Sequence, residues 1–340
     1  MWGMWVIVMG WMACGDSEAP MDGTSPSTRG KEKPSWVDNS RMGPKNLGNG
    51  HAGTTQTGRH PAAGQPEPPA ELRCKPNNYT RNSYECFVKV PSGRFLMGAQ
   101  SEDPAAPGYD AEAVPSEQPP HTVDVAGFWM MQREVPASLY RRCVQEGACS
   151  LAHLDESSSF TTYVATGKPQ ARAINGLDWE GARELCHWYG GRLPTEQEWE
   201  YAARGPESLR FPWGAEPACG YVDLSEGKEG HPAIRSEGDS MVSDTCDYGG
   251  VLWPNDMRGP SPFEVVGMAG NVWEWTADDF APYPGGPPLP AHAVGRTLKI
   301  QRGGGWTSTD PVELRSASRL PMDPTAKMND VGVRCVWGSQ

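Results

Sequence analysis

Three things are scarce in this 340-residue chain, and each scarcity removes a class of function. The one sustained apolar run, MWGMWVIVMGWMA at the N-terminus, is shorter than the roughly 20 residues a membrane-spanning helix needs. Basic charge is in deficit, with 30 Lys and Arg against 42 Asp and Glu and a formal net charge of −12. That balance argues against nucleic acid as a partner and against adhesion to anionic membranes. Familiar catalytic signatures are also missing. There is no P-loop, no dinucleotide fingerprint, and no Gly-x-Ser-x-Gly with a placed His and Asp. Zinc would want a Cys-x-x-Cys or a close His pair, and neither occurs. The seven histidines are scattered; His121 and His187 read as structural or solvated.

What the chain does have is 40 Gly, 33 Pro, 14 Trp and nine Cys. Cys14 stands apart at the end of the apolar run, which leaves eight, an even number suited to four disulfides outside the cytoplasm. The run ending in Ala13-Cys14 resembles a bacterial lipoprotein signal, with residues 1–14 as the signal and Cys14 as the lipidated residue. It departs from that pattern in lacking a preceding Lys or Arg and in placing Trp11 where Leu is usual. Residues 15–73 are rich in Pro, Gly, Ser and Thr and poor in large apolar side chains, so they are expected to be a flexible tether. Their seven acidic and seven basic residues cancel, which assigns the negative charge to residues 74–340. A domain of that length can bury one sizeable core.

Within the domain, periodicity predicts helices over Pro136–Glu146, Trp179–Tyr189 and Glu196–Arg204. The first has a stripe of Leu139, Tyr140, Cys143 and Val144. The second has Asp178 as N-cap and Gly190 beyond its end. In the third, Thr195 and Glu198 form a capping box, Gly205 suits the C-terminal position, and Trp199, Ala202 and Ala203 share a face. The remainder reads as short strands and long Gly/Pro-rich loops, notably Pro104–Pro120, Gly205–Pro262 and Phe280–Ala293.

Seven segments carry a family resemblance when taken in order: VPSGRFLMGAQ (Val90–Gln100), PPHTVDVAGFWMMQREV (Pro119–Val135), NGLDWEGARELCHWYGGRLPTEQEWEYAARG (Asn175–Gly205), FPWG (Phe211–Gly214), GNVWEW (Gly270–Trp275), RGGGW (Arg302–Trp306) and VGVRC (Val331–Cys335). Together they resemble the formylglycine-generating enzyme (sulfatase-modifying factor) family, including its pyoverdine-maturation and ergothioneine-synthase branches. The resemblance runs from about Cys86 to the C-terminus. It implies an α+β, C-type-lectin-like fold, loop-rich and stapled by disulfides. It also implies a Cys186–Cys335 bridge; the family's second bridge is lost at both ends, to Ala203 and Ser316. Proximity then suggests Cys74–Cys86, Cys143–Cys149 and Cys219–Cys246.

The same resemblance tests chemistry residue by residue. Oxidase members hold copper(I) and a substrate cysteine with two cysteines shortly after the RGG segment. Here Thr307, Ser308 and Pro311 stand nearest those positions, and Gly305 replaces the active-site serine. Hydroxyls and a proline do not replace thiolates at a soft ion, so copper is not expected. Calcium is the cofactor left open, through the carbonyls of Gly270 and Val272 and the carboxylate of Glu274. Gly267 stands where the side-chain ligand should be, and Tyr221 where the family's other calcium site has an asparagine. Hydrogen bonding that anchors a loop is the alternative role for Glu274. LWPND (Leu252–Asp256) only faintly resembles a sugar-lectin calcium motif.

Trp273 maps to the wall of the family's substrate pocket, with Gly305, Trp306, Thr307, Ser308 and Arg315 around it. Glu274, Asp310 and Arg319 are the candidates for acid/base work. Arg302, Arg315, Arg319 and Arg334 either frame an anionic or peptide pocket or pair with buried carboxylates. Three functions follow from this reading. One is a lipid-anchored envelope module that binds an exported peptide, protein or glycan without copper chemistry. Another is a divergent oxidase or other metal-dependent enzyme of the same family. The third is an accessory to a neighbouring envelope enzyme or assembly through the acidic surface.

Overall fold

Strands buried at nearly every position begin the fold. β1 (Phe87–Val90) and β4 (Phe128–Met131) run antiparallel, pairing Phe87 with Met131 and Val90 with Phe128. β9 (Val336–Trp337) adds to the other edge of β4, which returns the C-terminal segment to the start of the domain. β2 (Gly93–Met97) and β3 (His121–Val125) form a separate two-stranded ladder, with Phe95, Met97, Val123 and Val125 turned inward. A third sheet has the order β7-β6-β5-β8, from β5 (Trp273–Asp279), β6 (Lys299–Arg302), β7 (Leu320–Met322) and β8 (Val331–Gly332). Only its β5–β8 pairing is parallel.

These features come from a computed structural model that describes residues 67–75, 85–158, 160–163, 171–215, 259–308 and 310–338. All of them lie in the unit Thr57–Gln340. Cys14, the tether up to residue 66, Cys219 with Cys246, Tyr221 and the LWPND segment lie outside the described residues. No helix among the described residues is long and apolar enough to cross a membrane.

The helices fall where periodicity predicted them, with ends moved by at most one residue: α1 (Ala137–Gln145), α2 (Trp179–Trp188) and α3 (Glu196–Arg204). Asp178 caps α2 through the Gly181 N–H, and Thr195 with Glu198 forms the capping box of α3. Such a cap contributes about 1 kcal/mol. Two apolar clusters carry the core. One joins α1, α2 and the strands through Phe87, Leu139, Leu185, Trp275 and Trp337. The other packs α3 against β2–β4 through Trp199, Ala202, Phe95, Met97 and Met130. Trp199, Trp275 and Trp337 are fully buried, and the Trp275 indole N–H donates to the Leu177 carbonyl at 2.9 Å. These three tryptophans therefore do structural work.

The domain begins before the expected boundary at residue 74. Ala70–Leu72 forms a 3-10 turn, Leu72 packs on the first core cluster, and the Arg73 guanidinium lies 5.1 Å from the Trp129 ring centre. Leu72 and Arg73 give this end of the polar segment enough surface to dock. Three bridges form as expected: Cys74–Cys86, Cys143–Cys149 and Cys186–Cys335.

Closing a loop restricts the unfolded chain in proportion to the logarithm of its length. Replacing Cys186 and Cys335 by alanine, which opens a separation of 149 residues, is expected to cost about 5 kcal/mol on that scale. Opening Cys143–Cys149, separated by six, is expected to cost about 2 kcal/mol. Urea unfolding of the two double variants under non-reducing conditions checks the ranking.

Candidate functional site

The turn that enters β5 organises the site. Gly270 and Asn271 both take positive φ, 83° and 66°, a conformation Asn tolerates better than most residues. That turn aims the Asn271 amide at Glu134, whose Oε1 accepts from it at 2.9 Å. It also presents the Asn271 carbonyl to the Trp306 N–H at 2.8 Å. Three residues on from Asn271, Glu274 is buried and both of its oxygens are occupied. Arg334 donates to Oε1 at 2.7 Å, and the Trp199 indole N–H donates to Oε2 at 2.7 Å. The second carboxylate, Glu134, lies 3.6 Å from the same Arg334, and its Oε2 has no hydrogen-bond partner. One guanidinium therefore serves two buried acids. Burial, opposed by Arg334 and reinforced by the negative charge of Glu274, pushes the Glu134 carboxyl up to about 7.

The loop after β6 closes on itself. The Ser308 hydroxyl accepts from the Gly305 N–H at 3.1 Å, and its backbone N–H returns to the Gly305 carbonyl at 2.9 Å. The Thr307 hydroxyl donates to the buried Asp330 carboxylate, whose proton affinity is raised by burial despite that bond. Pro311 opens a 3-10 turn capped by Asp310. A Cβ at Gly305 would fall 2.9 Å from both Trp273 Cδ1 and the Asp330 carbonyl. The position of the family's serine has thus been closed over by its neighbours as well as stripped of its hydroxyl. Beside the loop, the half-buried Trp306 donates its indole N–H to the Asn329 carbonyl and packs against Phe160, with centroids 5.2 Å apart. Phe160 is 54% exposed.

All four arginines in question pair with carboxylates. Arg302 meets Glu200, which also accepts from Arg204 at 2.7 Å. Arg315 forks onto Glu117, both bonds at 2.8 Å, and reaches Asp110 at 3.1 Å. Arg319 forks onto Glu196 at 2.6 and 2.9 Å. Arg334 holds Glu274.

The structure therefore brings together Trp273, Gly305, Trp306, Thr307 and Ser308, and ties them to Asp330. Arg315, expected in the same pocket, spends its charge on Glu117 and Asp110 and is withdrawn from it. The acid/base candidates do not converge. Glu274 is enclosed by Arg334 and Trp199, Arg319 is held by Glu196, and Asp310 is an exposed cap accepting from the Val312 N–H. Asp330, Asn271 and Glu134 are the functional-looking residues that sequence reasoning passed over. Asn271 and Glu134 lay inside quoted motifs, but nothing in the spacing said that a turn would join them.

The donor set proposed for calcium does not fit that ion. Glu274, the charged member of the set, would have to bind it with oxygens already taking N–H donors from Arg334 and Trp199, beside a guanidinium of like charge. A Cβ at Gly267 would lie 2.6 Å from both Glu134 oxygens, so a ligand-bearing side chain at that position would collide with this carboxyl. Among the described residues, no group of three or more His, Cys, Asp or Glu is arranged to hold a metal, and all six cysteines are in disulfides.

A second concavity, of about 340 Å³, lies between the Pro115–Gln118 turn and the loop that follows β5, with Arg319 in its wall.

Short strands, a capped central helix, buried tryptophans and a bridge to the last segment define an α+β fold of the C-type-lectin-like, sulfatase-modifying type. Residues 73–339 match the profile described as the sulfatase-modifying factor enzyme 1-like domain, and the chain belongs to that family. It is 28% identical to a formylglycine-generating enzyme of Streptomyces coelicolor over 318 residues, covering 81% of this chain and 93% of that one. It is 29% identical to an inactive C-alpha-formylglycine-generating enzyme 2 of Bos taurus over 291 residues, covering 74% and 88%. Among solved structures, PvdO from Pseudomonas aeruginosa superposes with a TM-score of 0.54 at 20% identity, over 74% of this chain and 94% of that one. Treponema denticola variable protein 1 does so with a TM-score of 0.52 at 17% identity, over 74% and 95%.

The Glu134 carboxyl binds a proton more tightly in the folded chain than in the unfolded one, between its usual 4.5 and about 7. The folded state therefore holds the extra proton in that window, and stability falls as pH rises through it. Asp330, shifted the same way, adds to the slope. Glu134→Gln is expected to flatten the fall between pH 5 and pH 8, as read from urea midpoints at the two values.

Proposed function

We propose that the chain is a cell-envelope lipoprotein, anchored through Cys14, whose domain binds an exported peptide or glycan and performs no copper oxidation. One observation carries this reading. In the loop where oxidase relatives would place their thiols, Thr307 and Ser308 spend their hydroxyls on Asp330 and Gly305, beside the paired rings of Trp306 and Phe160. The loop offers no soft ligand, while the adjoining surface offers aromatic area. Relatives of nearly equal identity are named both as a formylglycine-generating enzyme and as an inactive one, so overall identity does not choose between the two functions. The composition of the loop does favour one of them.

Of the two ligand classes, an apolar peptide segment suits this face better than a sugar. Sugar hydroxyls need free carboxylates and amides. Here Asn175 donates to the Phe160 and Asn329 carbonyls while its oxygen accepts from Thr162, and Asp330 is held by Thr307. A second reading, a divergent enzyme, draws support from Asp330, a buried acid of raised proton affinity beside Trp273.

Selection of displayed random peptides on the full chain tests the proposal. Enriched peptides are expected to bind at least about tenfold more weakly to Trp306→Ala and Phe160→Ala, in line with the loss of an aromatic anchor worth 2 kcal/mol or more. Cysteine-containing peptides incubated with the protein, copper(I) and oxygen are expected to keep their mass. Conversion of cysteine to formylglycine, or binding indifferent to both rings, would overturn it. Asp330→Asn separates the second reading, since it should abolish any turnover while leaving peptide affinity within a few fold.

A further inference from the structure

The 340 Å³ cleft belongs to none of the chemistry above. It shares no lining residue with the Trp306 face, and its size is at the small end of ligand pockets, which run from about 300 to 1,000 Å³. That is room for one large side chain and too little for a cofactor.

Its walls are fixed before any ligand arrives. Pro115, Pro282, Pro287, Pro288 and Pro290 line it, and proline rings hold their own backbone φ. Arg319 ties the two sides together, donating to the Ser116 carbonyl at 2.6 Å on one wall and the Ala281 carbonyl at 3.1 Å on the other. The floor is seated on the core, where Phe280 packs with Leu298 and Ile300. Tyr283, also in the lining, is almost fully buried and stacks under the guanidinium, 4.0 Å from Arg319 Cζ to the ring centre. A cleft held this way loses little freedom on binding, so its selectivity follows from what it displays.

What it displays is electron-poor and uncharged overall. The guanidinium of Arg319 is neutralised by Glu196, so a carboxylate or phosphate would have to displace an existing bidentate pair. An ammonium would face the arginine. Arg319 itself is buried and already packed against Tyr283 and Phe280, so the proline rings are the surface on offer. Aromatic faces carry partial negative charge and are attracted to polarised C–H groups such as those of pyrrolidine rings. Three polar groups in the lining have no hydrogen-bond partner among the described residues: the half-buried side chains of Ser116 and Gln118 and the buried Tyr283 hydroxyl. Each can accept from one N–H or O–H. A flat apolar body with one donor at its rim describes tryptophan and tyrosine, and distinguishes them from phenylalanine and leucine.

We propose that this cleft receives a single tryptophan or tyrosine side chain presented by a polypeptide, stacked on the proline wall and read at its rim by Gln118. The site is independent of the Trp306 face, so either can fail without the other.

Ligand-observed NMR and calorimetry on the full chain test it with blocked single residues. N-acetyltryptophanamide and N-acetyltyrosinamide are expected to bind at least about tenfold tighter than N-acetylleucinamide, and several-fold tighter than N-acetylphenylalaninamide. Gln118→Ala should erase the preference for tyrosine over phenylalanine while leaving phenylalanine affinity unchanged. Ser116→Phe should fill the cleft and abolish binding, with an unchanged thermal midpoint showing that the fold is intact. If that midpoint drops, Pro288→Trp, on an exposed part of the wall, serves as the blocking variant instead. Equal affinity for the leucine and tryptophan amides, tryptophan binding indifferent to the blocking variant, or no binding of any amide would overturn the proposal. So would tighter binding of zwitterionic free tryptophan than of its blocked amide, because the cleft holds no unpaired charge to meet it.

Discussion

Everything in this domain is arranged around Glu200. It sits fully buried on α3, where an unpaired carboxylate would be intolerable, and three groups meet it, two of them from distant parts of the chain. Arg204 comes from its own helix, the Gly98 N–H from the end of β2 at 2.7 Å, and Arg302 from the end of β6. Burial works to raise its proton affinity, but the two guanidiniums outweigh that and hold it below the usual carboxylate range. Breaking a buried pair of this kind costs about 3–5 kcal/mol. The helix, the first ladder and the last sheet are therefore obliged to meet in one geometry. Glu196 with Arg319, Glu117 with Arg315 and Glu274 with Arg334 repeat the device around it. In a domain with short strands and long loops, these pairs and the 149-residue Cys186–Cys335 closure fix what regular structure leaves open.

That arrangement explains how a family scaffold persists while its reactive loop changes. Arg302 is pinned by Glu200 and by the Ala317 carbonyl at 2.9 Å, so the strand leading into the loop is held whatever follows it. Beyond it, Gly305 lets Trp273 and Asp330 close over the position, and Thr307 and Ser308 bond inward. The supports of this loop run through Arg302, Asp330 and Ser308, and none of them requires a thiol. The calcium position shows the same economy. The Glu134 carboxyl, 3.6 Å from the Arg334 guanidinium, fills the space where Gly267 has no side chain to give.

Much of the fold was legible in the sequence, and the reason is local. Thr195 with Glu198, Asp178 and the apolar spacing of α1 are signals contained within a few residues, and they set the helix ends to within one position. The short disulfides were legible through proximity, and the long one through family resemblance. What did not show was long-range pairing. Family resemblance put Arg315 in the pocket, with pairing to a buried carboxylate as its other role; its partners, Glu117 and Asp110, lie about 200 residues away and could not be named from the sequence. Glu134 and Asn271 meet only because a left-handed turn swings one toward the other. Residues 67–73, polar in composition, were assigned to the tether until Leu72 and Arg73 were seen docked on the domain.

The central proposal is that the family scaffold here binds without copper oxidation. Elemental mass spectrometry of natively purified full-length protein addresses it most directly. The account predicts neither copper nor iron at stoichiometric levels; one equivalent of either, retained through purification, would contradict it.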